Sequence, residues 1–145
     1  MDGGIFACPD GLEFLLPEGV AHLRDMGAVC VHRWRLLGLT PTGCRILAGE
    51  RVEAELLLAP GDCSLAGFSA GTVVTYGLSP RDSITLSSLT EPVLCIQRQL
   101  PRPDGGHVEP QEFLLPVLPG PAEVLLPLLG VRLLQIPLDR DPFAW

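Results

Sequence analysis

Asp62 closes the apolar run LLLAPGD, and Asp82 sits in the turn SPRD that follows VVTYGL. Both stand at the C-terminal side of candidate strands, where α/β sheets hold their ligands. Each also has an ordinary structural use, as a helix cap or a turn former. Ser83, Thr85, Ser87 and Ser88 form a hydroxyl cluster that suits an anion or a peptide. The same spacing describes the wet face of a half-exposed strand. Gln97, Arg98, Glu109, Gln111 and Glu112 gather on the two arms of a candidate hairpin. Pairing of Arg98 with Glu109 or Glu112 across the strands is ordinary sheet chemistry, and a buried network reading a partner is the sharper alternative. Asp62, Asp82, Ser87, Arg98 and Glu112 are therefore the candidate ligand-binding residues.

A nucleophile is harder to find. The run GFSAG, residues 67–71, matches G-x-S-x-G in letters and nominates Ser69. In a hydrolase that serine follows a strand and opens a helix. Here it precedes the candidate strand instead. The chain has no lysine, so all ten of its basic residues are arginine. This excludes a Schiff-base lysine, a phosphate-loop lysine and a lysine general base. Cys8, Cys30, Cys44, Cys63 and Cys95 are odd in number and lack C-x-x-C spacing. That pattern recommends neither a closed zinc site nor a disulfide framework, and buried thiols are expected. His22, His32 and His107 are scattered, and no spacing among them recommends a metal. No catalytic residue, metal or cofactor is expected.

Composition narrows the partners. A net charge of −7 argues against nucleic acid, whose recognition normally shows a basic stripe. Mean hydropathy is high, at +0.34. Even so, prolines, glycines and charges interrupt every apolar run before the roughly 18 residues that a membrane span requires. The N-terminal residues MDGG lack the basic and apolar regions of a signal peptide, so a cytoplasmic location and no membrane contact are expected. A chain of 145 residues fits one domain.

The elements that position these residues follow from local pattern. Residues 1–16 read as an edge hairpin or an irregular arm. Pro17 opens a short helix to about residue 26, stopped by Gly27. Residues 28–31 read as a strand, and 32–37 as either strand or helix. Thr40 and Pro41 are an N-cap and first-turn pair for the next helix. Residues 53–59 and 73–76 are apolar, β-branched or aromatic strands, expected parallel, with a helix from Asp62 or Ser64 to Ala70 between them. Residues 83–89 alternate as a strand. The pattern then turns antiparallel, with a strand over 93–100, an Asp104-Gly105-Gly106 turn, and an edge strand over 107–117 broken by Pro110 and Pro116. The run PAEVLLPLLGVRLL, residues 121–134, reads as a helix apolar nearly all round. Pro127 and Gly130 predict a kink or a break in it. The tail 139–145 is expected to be loose unless Trp145 docks.

The order LLLAPGD…VVTYGL, followed by an antiparallel excursion, a leucine-proline strand, Gly120 and a helix, resembles the central domain of the Mur ligases over residues 52–136. The resemblance implies a single small α/β domain, 1–145, with Rossmann-like parallel strands and an antiparallel hairpin extension. It does not carry the activity. The family's nucleotide loop and carbamylated lysine both need lysine. Its His-Asn pair at the helix start is replaced by Pro121-Ala122, and its flanking domains have no room here. Charge neutralisation for phosphoryl transfer is thus missing. The expected function is that of a non-catalytic Mur-ligase-like domain binding a partner protein or a small ligand. A serine hydrolase using Ser69 and a subunit that completes a larger ligase are the alternatives. An all-round apolar helix usually needs a larger core or a second chain, so a homodimer through residues 121–134 or the edge strand is expected.

Overall fold

The two apolar runs form the middle of one sheet. The computed structural model describes residues 2–88 and 90–145. In chain order the elements are β1 (Gly3–Phe6), a 3₁₀ turn (Glu13–Leu15), β2 (Val20–Leu23), α1 (Met26–Cys30), β3 (Arg33–Leu39), α2 (Pro41–Ile46), β4 (Val52–Pro60) and β5 (Phe68–Tyr76). Then come β6 (Ile84–Leu86), β7 (Val93–Ile96), β8 (Leu100–Pro101), β9 (His107–Val108), β10 (Gln111–Leu114) and α3 (Ala122–Gln135). Eight strands make a single sheet in the order β10-β7-β6-β5-β4-β3-β1-β2. From β2 to β6 every neighbouring pair is parallel, while β6–β7 and β7–β10 are antiparallel. A separate hairpin joins β8 to β9. The chain is thus a single small α/β domain with a mostly parallel sheet.

Burial on both faces explains the leucine-rich strands, because a parallel sheet covered twice has no polar side. Leu56, Leu58, Val74, Tyr76 and Ile84 pack with the leucines of α3 in one core. Leu37, Leu39, Leu57 and Ala59 pack with Val29 of α1 and with Cys44 and Leu47 at α2 in the other. Thr40 caps α2 as expected, accepting the Gly43 N–H at 3.1 Å, with Pro41 in the first turn. Asp104 accepts the Gly106 N–H at 2.9 Å in the β8–β9 turn, which the Asp-Gly-Gly signal anticipated.

Helix α3 runs unbroken for 14 residues despite Pro127 and Gly130, so of the expected kink or break the break does not occur. Its leucines are buried on every side, which offsets the one helical hydrogen bond that proline cannot donate. Gly130 is there for contact: a Cβ would lie 2.8 Å from Leu58 Cδ2 of β4. The cover on the far side of α3 comes from the same chain. Leu12, Leu15, Leu100, Val108 and Phe143 all join its core. Leu129 is fully buried, so the helix presents no apolar face that needs a second chain.

Arg132 organises that cover. Its guanidinium donates to the carbonyls of Leu15 (2.6 Å), Pro142 (2.6 Å) and Ala144 (3.0 Å), and it lies 5.4 Å from the Trp145 ring centroid. The C-terminal tail is therefore docked, through buried Phe143 and the Pro142 and Ala144 carbonyls more than through Trp145, which stays exposed. At this same C-terminal end of the helix Arg102 donates to Leu133 O and Ile136 O, both at 2.6 Å, and so caps the last turn.

Other expectations fail at short elements. Residues 1–16 contain a parallel strand, β1, instead of a hairpin or arm. The helix expected over 17–26 is strand β2, and the strand expected over 28–31 is helix α1, capped by Asp25 on Gly27 N. No helix spans 62–70, since the chain turns directly into β5 at Phe68. That missing helix leaves Val73 of β5, paired with Leu57 of β4, exposed on the face opposite α3. The alternating strand shortens to Ile84–Leu86, and its expected end at Leu89 lies outside the described residues.

Candidate functional site

The parallel strands all end at one edge, and there a cavity of about 570 Å³ opens between the ends of β4 and β5 and the first turns of α3. Asp62 follows β4, Tyr76 ends β5, and Ser79, Arg81 and Asp82 come from the loop after it. Glu123 and Leu126 reach in from α3, so the opening carries three carboxylates against one guanidinium. A second cavity of about 340 Å³ adjoins it, sharing Pro41, Pro60 and Asp62, and is walled by Cys44 and Arg45 of α2 and by Cys63.

The loop bearing Arg81 and Asp82 is held rigidly. Asp82 Oδ2 accepts the Ser79 N–H at 3.1 Å, Ser79 Oγ accepts the Arg81 N–H at 3.2 Å, and Thr75 Oγ1 accepts the Ser83 N–H at 3.2 Å. From beyond β7, Gln97 Nε2 donates to Pro80 O (2.9 Å) and Asp82 O (2.8 Å), and Arg98 donates to Arg81 O at 3.0 Å. The Asp82 carboxylate is 5% exposed and lies against the Cα atoms of Gly61 and Gly77. A side chain at either glycine would collide with it, which explains both glycines at these strand ends. Side-chain rigidity of this kind is what a pre-formed binding site requires.

Of the candidate residues, the structure brings Asp62 and Asp82 together and leaves the others outside. Ser87 is exposed beyond β6, and Glu112 is exposed on β10, registered opposite Cys95. Arg98 pairs with neither Glu109 nor Glu112. It braces the Arg81 backbone instead, and Gln99 takes Glu109 at 2.8 Å. Arg81, Tyr76 and Glu123 escaped the sequence reading. Glu123 had a usable signal, because the helix opened by Pro121 returns to the strand ends that carry Asp62 and Asp82.

Tyr76 donates its hydroxyl to Leu39 O at 2.6 Å. Burial, reinforced by Asp62, pushes the phenol far above its ordinary value, so it stays protonated. Ser69 is the second residue of β5, at the end of the strand away from the cavity. Burial first, then Glu13 and Asp10, raises the Cys8 thiol to about 11, which suppresses the nucleophilic thiolate. Among the described residues no three His, Cys, Asp or Glu side chains converge as metal ligands. No helix among them is long and apolar enough to cross a membrane.

The cysteines correct the sequence reading. Cys44 of α2 and Cys63 of the β4–β5 turn are joined as a disulfide, with Cα atoms 6.4 Å apart, whereas Cys8, Cys30 and Cys95 remain free. Nineteen residues separate the pair, so no local spacing motif could announce it. No family model, curated protein or solved structure matches the chain.

Proposed function

We propose that the chain is a non-catalytic, cytoplasmic α/β binding domain of Mur-ligase-like design whose edge cleft takes a small, positively charged ligand. The observation that carries this is the lining of the 570 Å³ cavity: Asp62, Asp82 and Glu123 against Arg81, over an apolar floor that includes Leu126. Carboxylates accept hydrogen bonds and favour a cation, and apolar walls favour a short carbon body. A primary amine on an alkyl chain meets both conditions. A nucleoside triphosphate meets neither, because its phosphates need a cationic or amide-rich cradle. The segment that resembles the Mur ligases, LLLAPGD…VVTYGL, supplies β4, β5 and the Asp62 turn, and so contributes two walls of this cleft.

Calorimetric titration tests the reading with two probes, an alkyl diamine and magnesium-ATP. The diamine should give saturable heat that Glu123→Gln weakens, and ATP should give none. Micromolar binding of ATP, or diamine binding indifferent to Glu123→Gln, would overturn it.

A second copy is the partner this account favours, through the edge strand and not through α3. β10 lies at the sheet's edge, and Leu114 on it and Val117 after it are 86% and 94% exposed. Unpaired edge strands with apolar side chains invite pairing. Light scattering should return twice 15.6 kDa at tens of micromolar chain, and Leu114→Lys should halve it. A wild-type monomer would refute the dimer.

A further inference from the structure

We propose that Cys44 and Cys63 are a reversible dithiol–disulfide couple that fastens one wall of the cleft. The two walls are built differently. The Arg81–Asp82 wall is held by the side chains of Gln97, Arg98 and Thr75. Residues 61–67 carry no helix, and the backbone bonds of that turn are few: Gly61 to Tyr76 O, Cys63 to Pro60 O, Phe68 to Leu65 O and Val52 to Gly67 O. Asp62 sits in this turn, next to Cys63. Beyond the main chain itself, the covalent tie of the turn among the described residues is the one to Cys44 of α2, across a Cα separation of 6.4 Å, inside the range that a disulfide spans.

The sulfurs are also unequal in access. Cys44 is 4% exposed, while Cys63 is half-buried and lines the open side cavity. Oxidation by a small-molecule disulfide such as oxidised glutathione therefore begins at Cys63. Its thiolate attacks one sulfur of the reagent, the reagent's S–S bond breaks, and one small thiol leaves after taking up a proton. The Cys44 thiolate then attacks Cys63 sulfur in the mixed disulfide and expels the second small thiol. Two protein thiols are oxidised and one small disulfide is reduced to two thiols, so the exchange balances. Cys8, Cys30 and Cys95 stay free thiols, and in the reducing compartment of the proposed function, on which this step rests, a disulfide is usually transient and redox-sensing. The switched element is the Asp62 turn, tethered to α2 in the oxidised form and held by its own hydrogen bonds in the reduced form.

The test uses the whole chain and no ligand, so it stands apart from the ligand reading. The protein is equilibrated at a series of reduced-to-oxidised glutathione ratios, alkylated differentially and mapped by peptide mass spectrometry. Cys44 and Cys63 should titrate together as one two-electron couple, with Cys8, Cys30 and Cys95 remaining alkylatable as thiols. Hydrogen exchange over residues 61–67 should be several-fold slower in the oxidised form, and Cys63→Ser should remove the difference while circular dichroism stays native. Failure of the pair to link at any ratio overturns the proposal. So does resistance to excess dithiothreitol in the folded protein, or identical exchange over 61–67 in both forms. If Cys63→Ser does not fold, the comparison of the two wild-type redox forms decides alone.

Discussion

Replacing Arg132 with Met probes how a small domain covers an all-apolar helix. The guanidinium is 6% exposed and makes charge-assisted bonds to three carbonyls. Hydrogen bonds to charged groups contribute about 1.5–3 kcal/mol each. Simple addition overshoots, because the carbonyls of Pro142 and Ala144 sit on a tail that can detach and rehydrate. What is lost then is the tail's own burial, chiefly Phe143, which packs edge-on to Phe113 with ring centroids 5.3 Å apart. Exposing one such side chain costs about 1.5–3 kcal/mol. Leu15 O cannot detach, and an unsatisfied buried carbonyl costs about 1–3 kcal/mol. Against these, Met no longer has to bury a charge, and burial already pulls the guanidinium's pKa below its ordinary value, with Asp141 opposing. The net expectation is a loss of about 3 kcal/mol. For a chain of this size that lowers Tm by roughly 6–12 °C. Urea unfolding followed by circular dichroism gives the free energy, and hydrogen exchange at Phe143 reports the tail. A loss under about 1 kcal/mol with Phe143 still protected would refute the reasoning.

Leu129→Arg should unfold the domain and not split a dimer, since its site lies inside the α3 core. A folded variant by circular dichroism would contradict that placement. Acid should loosen the β8–β9 hairpin first. The Gly106 N–H, with Arg102 in support, lowers the Asp104 pKa, so its contribution is present above the unfolded carboxylate value and is lost as pH falls through the lower folded value. Hydrogen exchange of Gly106 against pH checks this, and Asp104→Asn should flatten the profile.

The parts of the fold that were legible had either a covalent marker or enough length. Thr40-Pro41 marks α2 through its side chain and ring, and Asp104-Gly105-Gly106 marks a turn. β4 announces itself by composition over most of its nine residues, whereas β5 does so only over 73–76, and its first residues, Phe68 to Ala70, read as the end of a helix. β1, β2 and α1 have four or five residues, too few for a period of 2 to separate from one of 3.6. β1 opens with Gly3-Gly4, which reads as a turn. In the sheet a Cβ at Gly4 would stand 2.7 Å from Leu23 Cδ1, a tertiary constraint invisible locally. The site divides the same way. Asp62 and Asp82 were legible because each follows a clear strand. Arg98 was misread because charge pattern suggested a cross-strand carboxylate, whereas its nearest acceptor in space is a backbone carbonyl on another loop.

The central claim is that the acidic cleft binds a cationic ligand at the strand ends. Amide shift mapping on uniformly labelled protein tests it residue by residue during titration with an alkyl diamine. The account predicts saturable shifts at Asp62, Gly77, Arg81, Asp82 and Glu123, with Ser69 and Glu112 unmoved. Shifts centred elsewhere, or none in the cleft while magnesium-ATP produces them there, would contradict it.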